Sequence, residues 1–356
     1  MVELPINIGK FTLSNRIIIP AIVRMLANEQ GYVTDRLLAS YNLHAGSGAS
    51  FLIVEASFIQ PNGRILQGEL SIDDDSCVQG LSELAKTIKH NGIPTIVQLV
   101  HAGRMGCGQD LIAPSPIPFE DRIIPRPMTI EEILKLKLDF KKAIERSMDS
   151  GFDGVEIHCA HGYILSQFLS PLSNTRVDIY GGSLDNRARL LYEIVSDARK
   201  RIGSGKILSV RLGAVDLLPG GLKLYEAKVV AGKLKNLGVD LINVSAGIVP
   251  TRLGGSRPRV SRAFSPLGKS IRDAVGSVVA VAGRITTLQD VEIILSKKQA
   301  DLVAVCRSVL SDTLWPKKIL AQNISLEETT RIQPIIPCAG CIPCIHFTKG
   351  CPIKNL

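Results

Sequence analysis

Short apolar runs rich in β-branched residues alternate with segments of helical period along nearly the whole chain, and this alternation restricts the fold more than any other feature. Strands are predicted at 13–22, 51–56, 94–99, 154–157, 207–212, 241–244, 278–282 and 302–305. Helices are predicted at 34–46, 76–90, 129–150, 186–201, 224–237, 267–275, 288–297 and 312–322. Pro20 breaks the first strand because proline cannot donate to an interior ladder. Thr129 and Glu132 have the spacing of a capping box, and Asn91-Gly92 is a fitting helix stop. Strand–helix alternation with right-handed crossovers specifies a parallel sheet, and periodicity alone admits both a closed barrel and a doubly wound open sheet. The 356 residues exceed the roughly 250 of a minimal (β/α)8 barrel, leaving room for insertions and a tail.

Several function classes are disfavoured by composition. Hydrophobic content of 45% excludes a disordered chain. The longest apolar runs, such as 17–23, fall far short of the ~18 residues of a membrane span. The N-terminal Met1-Val-Glu-Leu-Pro-Ile-Asn lacks the basic flank and apolar core of a signal peptide, so a cytoplasmic protein without a membrane partner is expected. The excess of 42 Lys and Arg over 33 Asp and Glu is scattered in short clusters on predicted helices, and aromatics at 4% are too scarce for base stacking. Nucleic acid is therefore not an expected partner. Nothing in the sequence specifies an oligomeric state, and it leaves room for a homo-oligomer.

The strand predicted at 154–157 runs straight into His158, His161 and Tyr163, spaced H-x-x-H-x-Y. Ring nitrogens and a phenol at the end of a buried strand must find partners, and strand C-termini are where parallel α/β proteins bind ligands. Downstream stand Gln167-Phe-Leu-Ser-Pro-Leu-Ser-Asn-Thr-Arg176 and Asp178-Ile-Tyr-Gly-Gly-Ser-Leu-Asp-Asn-Arg187. Together these motifs resemble the signature of the Old Yellow Enzyme family of flavin-dependent ene-reductases, almost without interruption from His158 to Arg187. The resemblance decides between the two sheets: it implies a (β/α)8 TIM barrel, FMN, and an unsaturated small-molecule substrate.

By the same resemblance, His158 and His161 polarise a substrate carbonyl and Tyr163 is the general acid. Arg211, closing the strand at 207–212, needs a polar or anionic acceptor wherever it is desolvated, and it matches the family arginine that faces the flavin N1 and C2 carbonyl. Gln98 matches the amide that bonds the flavin pyrimidine, and Ala56 a small residue against the ring. Pro20, Ala21 and Ile22 match the first strand's approach to the flavin. Gly283-Arg284 and Cys306-Arg307 follow the last two predicted strands, where barrels commonly bind phosphate, and the family holds FMN phosphate there. Two positions depart from the pattern: Cys306 replaces the usual glycine, and Val23 stands where many members carry threonine or cysteine. The glycine- and proline-rich stretch at 103–127 and the segment at 250–258 are candidate substrate walls.

Of eight cysteines, Cys338, Cys341, Cys344 and Cys351 crowd the C-terminal segment with the spacing C-x2-C-x2-C-x6-C-P. The run is close to a bacterial ferredoxin motif and suggests a [4Fe-4S] cluster, with structural zinc as the alternative. It resembles the cluster segment of the trimethylamine dehydrogenase and 2,4-dienoyl-CoA reductase branch, whose last interval is longer. The expected domains are an FMN-binding barrel at 1–325 and a linker with cysteine-rich tail at 326–356. The expected activity is reduction of activated C=C bonds, with amine dehydrogenation or an electron-transfer subunit as rivals. The expected electron donor is NADH, NADPH or a reduced carrier. Because the sequence given stops at Leu356 with no dinucleotide fingerprint after the cysteines, a separate ferredoxin-like or flavoprotein donor is also expected.

Overall fold

The computed structural model describes residues 1–247, 261–322 and 335–336. Eight barrel strands run in chain order: β1 Ile17–Ile19, β2 Phe51–Phe58, β3 Thr95–Val100, β4 Gly154–Cys159, β5 Ile207–Gly213, β6 Leu241–Ser245, β7 Val278–Val281 and β8 Leu302–Ala304. Each pairs in parallel with its neighbour in sequence. The sheet then closes, with Val303 beside Ile17 and Ala304 beside Ile18. Closure excludes the doubly wound alternative.

A helix follows each strand: α1 Asp35–Ala45, α2 Cys77–Lys89, α3 Ile130–Asp149, α4 Leu184–Ile202, α5 Leu224–Asn236, α6 Ser265–Val275, α7 Leu288–Ser296 and α8 Trp315–Ala321. The helix α3 begins at the predicted capping box, with Thr129 Oγ1 accepting from Glu132 N at 3.3 Å and the Glu132 carboxylate accepting from Thr129 N at 2.9 Å. Most apolar burial lies between this helical ring and the outside of the strands.

The first predicted strand needs correction. The run at 13–22 divides, because Asn15 Oδ1 accepts from Ile17 N at 2.9 Å and turns the chain. Leu13 belongs instead to an N-terminal hairpin, Ile6–Ile8 with Phe11–Leu13, and only Ile17–Ile19 enters the barrel. From the hairpin, Ile8 and Leu13 pack with Phe51, Ile207, Leu241 and Leu302, which open their strands. The hairpin thus plugs the N-terminal end of the barrel with fully buried side chains, each worth about 1.5–3 kcal/mol. A ligand is left with the C-terminal mouth.

Candidate active site

At that mouth the chain turns sharply after β4. His161 and Gly162 take φ of 59° and 78°, and Tyr163 N returns to Ala160 O at 3.3 Å. A left-handed residue that is not glycine is uncommon and concentrates at functional sites. The turn gathers the three rings of the motif: His158 lies 5.0 Å from both His161 and Tyr163, centroid to centroid and edge on.

The imidazoles form a directed chain. Burial, helped by the neighbouring His161 and the Arg211 charge, holds His158 well below the usual histidine range, and burial with Arg211 does the same for His161. Neutral His158 accepts from Ala160 N at Nδ1 (3.2 Å), so its proton sits on Nε2, which faces His161 Nδ1 at 3.3 Å. His161 then carries its proton on Nε2, 2.6 Å from Ser245 Oγ at the end of β6. Burial pushes the Tyr163 phenol up, Glu69 adds to this, and Arg211 opposes it. The phenol stays protonated through neutral pH.

Arg211 reaches across the mouth from β5, and its Nη1 donates to Ala21 O at 3.3 Å, where the chain leaves β1. Its Nε is buried without a partner. Ala56 lies in register with Gln98 on adjacent strands, just past an irregularity in β2. Residues expected to meet the flavin thus lie side by side in two pairs, Arg211 with Ala21 and Ala56 with Gln98.

The loops after β7 and β8 leave the same end of the barrel side by side. Ser308 Oγ donates to Ile285 O at 2.8 Å and Trp315 Nε1 to Thr286 O at 3.2 Å, joining them. Gly283 has φ 123°, and a Cβ there would lie 3.0 Å from the Phe264 amide nitrogen. Only glycine suits that backbone and that approach. Cys306 precedes the short helix Arg307–Ser311 with non-helical φ −110° and ψ −80°. Outside these loops lies a cleft of about 340 Å³ lined by Arg284, Thr286, Ser308, Trp315 and Ile335.

Above β3, Gln167 bonds the carbonyls of Ala102 (3.0 Å) and Gly162 (2.6 Å) and accepts from Arg104 N, tying the 103–127 stretch to the histidine turn. That stretch is partly ordered, Ile112–Ala113 pairing with Arg126–Pro127. The candidate wall at 250–258 and the four clustered cysteines lie outside the described residues. The chain is nevertheless fixed just before them: Ile336 N donates to Asp312 Oδ2 at 3.0 Å, and Ser311 Oγ donates to Ile336 O at 3.2 Å.

Two sets of polar residues went unread in the sequence. Glu55 and Tyr41 are buried behind β1, with Tyr41 Oη donating to Glu55 Oε2 at 3.1 Å and burial raising the acid to about 8. Glu156, Ser209, Asn243 and Ser245 are polar residues set among apolar ones on three neighbouring strands. Aligning those strands by register would have found them.

Comparison with known proteins agrees with this geometry. The family model described as NADH:flavin oxidoreductase / NADH oxidase matches residues 4–327. An NADH oxidase of Thermoanaerobacter brockii is 37% identical over 323 residues, which is 88% of this chain and 49% of that one. A 2-naphthoyl-CoA reductase solved with 2-naphthoyl-CoA is 26% identical with TM-score 0.86, covering 96% of this chain and 54% of that one. The chain spans about half the length of both. An old yellow enzyme homologue from Zymomonas mobilis shares the fold at TM-score 0.78 and 24% identity, over 96% of this chain and 99% of that one. Morphinone reductase does so at 0.79 and 24%, over 90% and 89%. With most of its length matched by the family model and a fold shared with old yellow enzyme homologues, the chain belongs to the NADH:flavin oxidoreductase / NADH oxidase family.

Proposed function

We propose that this chain reduces activated carbon–carbon double bonds, with FMN held at the C-terminal mouth of the barrel. The observation that carries the reading is the convergence of His158, His161, Tyr163 and Arg211 there, two neutral imidazoles and a protonated phenol beside a guanidinium. The residues fit the cofactor. Arg211 Nε is a buried donor without a partner, suited to an electron-rich pyrimidine edge, and Gly283 leaves backbone space beside the loops that would take the phosphate. Gln98, Ala56 and the Pro20–Ile22 segment would complete the ring site, and Arg284, Cys306 and Arg307 the phosphate site.

Bound FMN supplies the hydride that adds to the β-carbon of the alkene. The chain supplies the rest. His158 and His161 donate through Nε2–H to the substrate carbonyl, which draws charge from the double bond. To do so His158 must exchange its bond to His161, and His161 its bond to Ser245, for one to substrate. Tyr163 gives its proton to the α-carbon, and Arg211 offsets the phenolate that remains.

The barrel and the cysteine-rich segment are proposed as separate units at 1–325 and 326–356. Cys338, Cys341, Cys344 and Cys351 would hold a [4Fe-4S] cluster, whose chemistry is one-electron transfer; the C-x2-C-x2-C-x6-C-P spacing supports it, as does the resemblance of that segment to the cluster segment of the trimethylamine dehydrogenase and 2,4-dienoyl-CoA reductase branch. NADH, NADPH or a ferredoxin-like or flavoprotein carrier would be the donor.

A visible spectrum of anaerobically purified protein with iron and sulfide assays, followed by addition of NADH and 2-cyclohexenone, tests the reading. Flavin bands, a broad cluster absorbance and saturated product are expected. Protein without flavin bands refutes it.

A further inference from the structure

Below the mouth, polar residues from four adjacent strands meet inside the barrel. Glu156 on β4 is 0% exposed and accepts three hydrogen bonds. The Gln98 amide on β3 donates through Nε2 at 2.6 Å, the Ser209 hydroxyl on β5 at 2.8 Å, and the Asn243 amide on β6 through Nδ2 at 3.1 Å. Among the described residues none of the ion pairs includes Glu156, so its donors are all neutral.

A carboxylate only accepts, whereas an amide has one donating and one accepting branch. Glu156 therefore decides which way both amides point, with nitrogen toward the carboxylate and oxygen away from it. The consequence shows at Asn243. Its Oδ1 is buried and has no partner, although a buried acceptor normally finds one. Arg211, in register with Asn243 on the adjacent strand, has a buried Nε donor equally without a partner. A free acceptor and a free donor thus stand on neighbouring strands at the floor of the site.

We infer that Glu156 is a positioning residue for the flavin: by holding the Gln98 and Asn243 amides nitrogen-inward, it presents the Asn243 carbonyl beside the Arg211 guanidinium as a pair complementary to the imide edge of the isoalloxazine. That edge carries an N–H flanked by carbonyl oxygens, so one group of the pair meets a donor and the other an acceptor. Asn243 becomes a binding residue in its own right. The inference rests on the FMN reading above. It also explains why a buried acid is retained among apolar strand residues, since no neutral side chain of that shape accepts from three donors without presenting one of its own.

Glu156→Gln keeps the shape and adds a donor; the Ser209 hydroxyl can turn to accept, but an amide nitrogen in place of either carboxylate oxygen also faces the NH2 of Gln98 or of Asn243, which must then turn its oxygen inward. Taking the Asn243 oxygen turns that amide and removes the acceptor of the pair, whereas taking the Gln98 oxygen turns the other amide that Glu156 orients toward the flavin. The test is titration of flavin-stripped full-length protein with FMN, read by flavin fluorescence, for wild type, Arg211→Ala, Glu156→Gln, Asn243→Ala and the Glu156→Gln/Asn243→Ala double variant. Glu156→Gln and Asn243→Ala should each weaken FMN binding by about tenfold, and the double variant no further than the weaker single. The midpoint potential of the bound flavin should shift in both single variants. Wild-type affinity in Asn243→Ala, or losses that multiply in the double variant, would overturn the inference even if Arg211→Ala still confirms the flavin site. Should Glu156→Gln fail to fold, Asn243→Ala with its potential shift decides alone. Wild-type protein that takes up no FMN would overturn this inference and the flavin reading together.

Discussion

Glu55→Gln should remove a loss of stability that the protein suffers as pH rises through neutrality. The acid is 0% exposed, Oε2 accepts from Tyr41 Oη at 3.1 Å and Arg24 N at 3.3 Å, and Oε1 has no partner. Burial outweighs these bonds and raises the folded-state value from 4.5 to about 8. Between those two values the unfolded chain has released the proton that the folded protein keeps. Stability from this group is complete below the unfolded value and is lost as pH rises toward 8, at about 1.4 kcal/mol per pH unit. From pH 5.5 to 7.5 the loss is on the order of 2.7 kcal/mol, and glutamine, which does not titrate, avoids it. Urea unfolding of wild type and variant at equal flavin loading, at pH 5.5, 6.5 and 7.5, measures the difference. The two proteins should diverge as pH rises, with the variant gaining. Parallel pH profiles would show that Glu55 is ionised in the fold and that the reasoning from burial is wrong.

Ser245→Ala should tighten binding of a phenolic ligand about threefold to tenfold, because the ligand no longer competes for the His161 proton; equilibrium titration of the flavin absorbance checks this, and weaker binding would show that Ser245 holds His161 in place instead. Gly283→Ala should destabilise the protein by about 1–3 kcal/mol and loosen FMN, since its backbone has φ 123° and the added carbon would crowd the Phe264 amide; thermal melts with and without FMN report both effects. Cys344→Ser should lose iron and the broad visible absorbance while retaining FMN, as metal analysis and the flavin content of denatured protein will show.

Much of the barrel was legible because each of its strands is a short apolar run, buried on both faces and bounded by glycine, proline or a helix cap. Closure was not legible, since an open and a closed parallel sheet share one periodicity. The hairpin was missed because Leu13 continues the apolar composition of Ile17–Ile19, and only the Asn15 turn separates them. The histidine–tyrosine motif could be read because its three rings are local in sequence. Glu156, Asn243 and Ser245 could not, because they lie on β4 and β6, far apart in sequence, and their association with the site depends on register across β4 to β6. Glu69 acts on Tyr163 from a loop far away in sequence, so no spacing rule relates them.

The division of labour at the mouth is tested most directly by stopped-flow measurement of both half-reactions in Tyr163→Phe. A proton donor acts only when the alkene is reduced. Reduction of the flavin by NADH should therefore stay within about twofold of wild type, while its reoxidation by 2-cyclohexenone slows by roughly 10²–10⁴-fold. Equal slowing of the two half-reactions, or unchanged reoxidation, would contradict the assignment of Tyr163 as the general acid.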